Sequence, residues 1–124
     1  VTVTASARFY QSMQYRAAVR DVVTVVSSAR YQAVNDGRAQ DVMIDTRTNE
    51  LRLNDVVKHL PSALRIGVRS AGELNSDGLA VIRFYPEGGS SGGEVSVEVP
   101  QRDGVRVIVD WLIGGISQEK YAIN

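Results

Sequence analysis

The stretch Tyr15-Arg16-Ala17-Ala18-Val19-Arg20-Asp21-Val22-Val23-Thr24-Val25-Val26-Ser27-Ser28-Ala29-Arg30-Tyr31-Gln32-Ala33 decides how this chain folds. Within it Tyr15, Ala18, Val19, Val22, Val26, Ala29 and Ala33 recur at intervals of three and four, which marks one face of an α-helix. Arg20, Thr24, Ser27, Ser28, Tyr31 and Asn35 fall on the opposite face. Taken alone, Val22 to Val26 has the β-branched richness of a strand, but the longer periodicity outweighs that local preference. Asn35-Asp36-Gly37 supplies the stop, with glycine free to adopt the left-handed conformation after the last turn. The pattern predicts one helix from about Ser6 to Asp36, about 45 Å long at 1.5 Å per residue.

Such a helix is longer than the body that could cover it. The chain has 124 residues, 44% of them apolar, which makes one domain with a radius of gyration near ~14 Å. The start of the helix is therefore expected to project. Phe9, Tyr10, Met13 and Ala17 lie off the docking stripe and form a candidate surface for another partner.

After Gly37 the period becomes two. Val42 and Ile44 alternate with Asp41 and Asp45, and Leu51 and Leu53 flank Arg52, with Thr46-Arg47-Thr48-Asn49 as a hairpin turn. Asn54 to Ser62 reads equally as a strand or as one helical turn. Leu64, Ile66 and Val68 alternate again. Leu79 to Tyr85 is almost continuously apolar, as a central strand covered on both faces would be. Val95, Val97 and Val99 form one half-buried strand and Val105, Val107, Val109 and Trp111 another. Pairing their apolar faces with a residue sum of 204 sets Glu98 opposite Arg106 and leaves Gln101 to Asp103 as the loop. Asn75-Ser76-Asp77-Gly78, Glu87 to Gly93, Asp103-Gly104 and Gly114-Gly115 punctuate the strands. The predicted architecture is α+β: residues 1–36 a long N-terminal helix, packed on the antiparallel, β-sandwich-like head of residues 37–124.

Little in the sequence points to catalysis. Fourteen basic and fourteen acidic side chains cancel, so no global field draws the chain to nucleic acid or anionic lipid. The absence of cysteine removes disulfides, thiolate nucleophiles and cysteine-bearing metal sites. His59 is the single histidine and sits in no catalytic motif. Glu87-Gly88-Gly89-Ser90-Ser91-Gly92-Gly93 is glycine-rich, but a phosphate loop requires a lysine and a helix directly after it, whereas Glu94 opens a strand. It reads as a flexible connection between strands. Asp41, Asp45, Glu50 and Asp55 could be gathered into a calcium site, although their spacing matches no calcium loop. An enzyme or calcium-dependent module on an unrelated sheet fold could rest only on Asp41, Asp45 and His59. Twelve arginines stand against two lysines, and Arg8, Arg16, Arg20 and Arg30 share one flank of the helix, solvated or set against acidic groups.

Three segments resemble one family. Ala29-Arg30-Tyr31-Gln32-Ala33-Val34-Asn35-Asp36-Gly37 is similar to the helix end of the minor pseudopilin H family and its relative, the minor pilin T of type IV pili. Ile82-Arg83-Phe84-Tyr85-Pro86 through Glu94 resembles that family's phenylalanine, proline, acidic, glycine and serine loop. Val109-Asp110-Trp111-Leu112-Ile113-Gly114-Gly115-Ile116 resembles its last hairpin, with Gly115 where many relatives carry an arginine. The family's members begin with a leader and an apolar helical segment, neither of which this chain contains. The chain therefore looks like the part that remains when the membrane-spanning half of the helix is removed.

The resemblance implies a pilin-like fold and a structural minor subunit of the type II secretion pseudopilus, not an enzyme. An inner-membrane anchor and a periplasmic head in a Gram-negative bacterium would follow, with the other minor pseudopilins and the major pseudopilin as partners. No cofactor, metal, small-molecule substrate or nucleic acid is expected. Arg8, Phe9, Tyr10, Met13 and Ala17 on the helix, and Gly88, Gly89, Ser90 and Ser91 in the loop, are the candidate partner contacts. The alternative is a minor pilin for DNA uptake, for which a basic glycine-arginine tail would be expected. The tail here, Ile116 to Asn124, has one acid and one base.

Overall fold

The computed structural model describes residues 2–70 and 79–123, with side chains from Phe9 onward. The Arg8 side chain and the Asn75 to Gly78 turn lie outside the described residues. One helix, α1 (Thr2–Asp36), is followed by eight strands: β1 (Gln40–Asp45), β2 (Glu50–Leu53), β3 (Val56–His59), β4 (Arg65–Ser70), β5 (Leu79–Phe84), β6 (Gly93–Val99), β7 (Asp103–Val109) and β8 (Ile116–Ala122). They form two four-stranded antiparallel sheets, ordered β3-β2-β1-β5 and β4-β6-β7-β8.

The helical stripe is the docking face. Ala18, Val19, Val22, Val26, Ala29 and Ala33 are buried and Tyr15 is half-buried, with Val25 joining them from the edge of the stripe. They meet the inner rows of both sheets in a single core: Val42, Ile44, Leu51 and Leu53 from the first, Ile66, Val95, Val97, Val105 and Val107 from the second. The burial of this shared face, rather than intrinsic propensity, keeps the β-branched Val22 to Val26 segment helical. Gly37, at φ 68, ends α1 by donating its N–H to the Ala33 carbonyl at 3.1 Å, a left-handed helix cap.

The ambiguous Asn54 to Ser62 segment contains β3, whose four residues are all exposed. Asn54 starts the β2–β3 turn at φ 53. Beyond β3 the chain returns to the core at Leu60, held by Asn49, whose Nδ2 donates to the carbonyls of Pro61 and Leu64, both at 3.0 Å.

Three expectations are corrected. β5 is not central: it lies at the end of its sheet, and its burial alternates along the strand. Ala80, Ile82 and Phe84 face the core and are buried, Leu79, Val81 and Arg83 on the other face are half-buried, and the open edge is covered by a loop instead of a strand. The β6–β7 register is shifted by two residues, with Val95 opposite Val107, Ser96 opposite Arg106 and Glu98 opposite Gly104. Pro100 explains the shift, since it has no N–H for the ladder and its fixed φ suits the second position of a β-turn. Gln101 follows at φ 67, and Arg102 N–H closes the turn on the Val99 carbonyl at 3.1 Å. Finally, β7 stops at Val109, and Trp111 lies in the following turn, 66% exposed.

Candidate interaction surfaces

Beyond the reach of the head, the start of α1 presents a patch of apolar side chains. Phe9, Tyr10 and Met13 are 69%, 64% and 53% exposed. Ala17 is half-buried. At about 100° per residue these four positions span about 100° of the helix circumference, centred roughly opposite the Ala18, Val22 and Ala29 stripe that docks on the sheets. Their direction follows from periodicity, because the stripe that docks Ala18 to Ala33 turns these positions to the other side of the helix. One polar tether reaches this end, a hydrogen bond of 3.2 Å from Arg102 Nη1 to Gln11 Oε1.

The Glu87 to Gly93 loop is ordered and largely internal. Gly88, Gly89 and Ser90 are buried, so the surface on which partner contacts were expected is not there; Ser91 alone of the four is half-exposed. Ser91 seals the open edge of β5: its N–H donates to the Arg83 carbonyl at 2.8 Å, and its Oγ accepts the Arg83 N–H at 2.9 Å. Tyr85 N–H donates to the Gly89 carbonyl at 2.9 Å. Ser90 Oγ donates to the Asp110 carbonyl at 2.8 Å and accepts the Gly92 N–H at 2.9 Å. A buried side-chain hydroxyl that bonds two main-chain groups of neighbouring turns ties the loop to the rest of the head.

That loop supports a second exposed patch, which the sequence reading missed. Trp111, Leu112 and Ile113 are 66%, 65% and 64% exposed at the tip between β7 and β8. Asp110 Oδ2 accepts the N–H groups of Leu112 and Ile113 at 3.1 and 2.9 Å, and Ser90 N–H donates to the Trp111 carbonyl at 2.9 Å. Gly114, at φ 68, closes the turn where a Cβ would collide with the Gly88 carbonyl and Arg30 Nε. Three large apolar residues directly before Gly114-Gly115, with an aspartate ahead to cap their amides, was the signal available. Treating Trp111 as the next step of the β7 alternation hid it.

The arginine flank divides. Arg16 and Arg20 are exposed, while Arg30 turns inward and donates from Nη2 to the Ile113 carbonyl at 3.1 Å. Arg16 and Arg20 overlook a groove of about 810 Å3 between α1 and the β7–β8 end of the second sheet. Tyr15 on its wall has a pKa raised by burial and by the nearby Asp103 carboxylate.

The carboxylates considered for calcium are mostly engaged by cations. Asp41 accepts from Arg83 Nε and Nη2 at 2.6 and 3.0 Å, a bidentate pair across the β1–β5 ladder. Asp45 pairs with Arg47 at 3.3 Å, and Glu50 with Arg52 at 2.9 Å and His59 at 3.2 Å. Among the described residues no group of three or more histidine, aspartate or glutamate side chains is placed to hold a metal ion, nor is any helix long and apolar enough to cross a membrane.

No protein-family model and no curated protein matches the sequence. Among solved structures, the minor pseudopilin EpsH from the type 2 secretion system of Vibrio cholerae superposes with a TM-score of 0.66 at 13% identity, over 86% of this chain and 96% of that one. The chain thus has the fold of a minor pseudopilin: one N-terminal helix packed on two antiparallel sheets.

Proposed function

We propose that this chain is a structural minor subunit of a type II secretion pseudopilus, assisting export of folded proteins across the outer membrane. The observation that carries the reading is the outward patch of Phe9, Tyr10 and Met13 on a helix too long for its own head. Three large apolar side chains held in water favour burial against a neighbour, and a filament of like-folded subunits offers such neighbours along the helix. The fold shared with EpsH supports the same assignment. The head would sit in the periplasm with an inner-membrane anchor preceding it. Other minor pseudopilins and the major pseudopilin would be the partners. The subunit performs no reaction; its work is assembly.

The direct test is deletion of the gene in its own bacterium. The expected result is that exoproteins accumulate in the periplasm and that the intact gene restores their release. Normal secretion combined with lost DNA uptake would overturn the reading in favour of the DNA-uptake pilin.

A further inference from the structure

Four cations of this charge-neutral chain line one groove. The groove between α1 and the second sheet is lined by Arg16 and Arg20 from the helix, Arg102 from the β6–β7 turn and Lys120 from β8, against one carboxylate, Asp103. Among the described residues Arg16, Arg20 and Lys120 have no carboxylate within salt-bridge distance, whereas Arg47, Arg52, Arg83 and Arg106 are held by Asp45, Glu50, Asp41 and Glu119 at 3.3, 2.9, 2.6 and 2.7 Å. Most cations elsewhere on the sheets, Lys58 and Arg65 apart, are neutralised locally, whereas Arg16, Arg20 and Lys120 at the groove are not.

Two further features define what would fit. The base of the groove is apolar, with Val19 and Val105 buried and Val23 packed against the core. Its rim is β8, the terminal strand of its sheet, which leaves one side of a seven-residue backbone without a strand partner among the described residues. Gln118, Lys120 and Ala122 are spaced by two along this strand and line the groove, so the next strand added to the sheet would also turn alternate side chains toward it.

We propose that this groove docks an extended acidic segment of another polypeptide, which pairs its backbone with the free edge of β8. Carboxylates two residues apart on a strand lie about 6.6 Å from each other on one face, and Arg16 and Arg20 are separated by about 6 Å along α1, so successive acids meet successive arginines. Small apolar groups between them cover the valine base. This is strand addition, with main-chain bonds supplying affinity and charge supplying specificity. Duplex DNA is a poorer occupant, because it can neither pair with a strand edge nor use an apolar base. The inference stands apart from the pseudopilus reading and survives if that reading fails.

The test is fluorescence anisotropy with a labelled seven-residue peptide alternating glutamate with valine, titrated with the whole 124-residue chain. A dissociation constant on the order of 10–100 μM is expected, weakening by about tenfold or more in Arg16→Glu/Arg20→Glu and, separately, in Lys120→Glu. The same peptide with lysine for glutamate should not bind, and amide exchange along Ile116 to Ala122 should slow when the acidic peptide does. All three substituted residues are exposed, so the melting temperature should stay within about 2 °C and a lost signal reports the contact. Absence of saturable binding up to about 1 mM, or binding indifferent to these substitutions, overturns the proposal. So does a DNA duplex that displaces the peptide and depends on the same arginines.

Discussion

Arg30 Nη2 donates to the main-chain carbonyl of Ile113 at 3.1 Å, joining the last turns of α1 to a loop 83 positions away in sequence. The Trp111 to Ile113 tip is thereby set relative to the helix. Arg30→Ala should destabilise the chain by about 1.5 kcal/mol, the low end for a hydrogen bond to a charged group because this one is exposed, and should speed amide exchange at Leu112 and Ile113 well above that at Val107. Unchanged exchange at the tip would mean that Asp110 alone holds it.

Ser90 is the internal pin of the glycine-serine loop. It is 5% exposed and serves both the Asp110 carbonyl and the Gly92 N–H. Ser90→Ala leaves those groups unpaired and should cost about 1–3 kcal/mol, measurable as a lowered urea midpoint. Ser91→Ala should expose the β5 edge and raise exchange at Arg83. A loop that tolerates both changes would be mobile after all.

The helix start should behave independently of the core. Phe9→Glu with Met13→Glu should move stability by no more than about 0.5 kcal/mol, whereas Phe84→Ala, fully buried, should cost about 3–5 kcal/mol. Loss of the fold in the Phe9/Met13 variant would place those side chains in the chain's own core.

The helix and the β1–β2 hairpin were legible because each rests on a local signal: a period sustained over five turns, and two short alternating runs around a polar turn. The β5 position was not, since an apolar run does not tell a strand neighbour from a loop that covers its edge through Ser91. Parity placed the correct faces of β6 and β7 together, but alternation is blind to a shift of two residues, and the decisive residue was Pro100 in the turn. Of the candidate positions, the exposure of Phe9, Tyr10 and Met13 follows from helical geometry. Gly88, Gly89 and Ser90 were judged by composition, and composition does not distinguish a buried glycine loop from an exposed one.

Stability should fall at both extremes of pH. The Tyr121 hydroxyl is pushed up to about 12 from an ordinary 10.0, first by burial and then by its hydrogen bond to Glu98 Oε2 at 2.7 Å. The folded chain holds that proton more tightly than the unfolded one, so its contribution is complete below pH 10 and lost as pH rises toward 12. Asp45 and Glu50 are held below their ordinary 3.8 and 4.5 by hydrogen bonds from Arg47 and Arg52. Their contribution is present above those values and lost as pH falls through the lowered ones. Urea midpoints across the pH range check both limbs, and Glu98→Gln should bring the Tyr121 titration, followed by tyrosinate absorbance, to lower pH.

The most direct measurement for the assembly role is photo-crosslinking from position 13, with a benzophenone amino acid replacing Met13 in the protein as its own cell makes it. Met13 is 53% exposed on the face of α1 turned away from both sheets, so adducts with other pilin-like subunits are the expected result, with the same group at buried Val22 giving none. An unmodified chain in secreting cells, or crosslinks that close only within the chain onto its own sheets, would contradict the claim that this end of the helix is built for a filament.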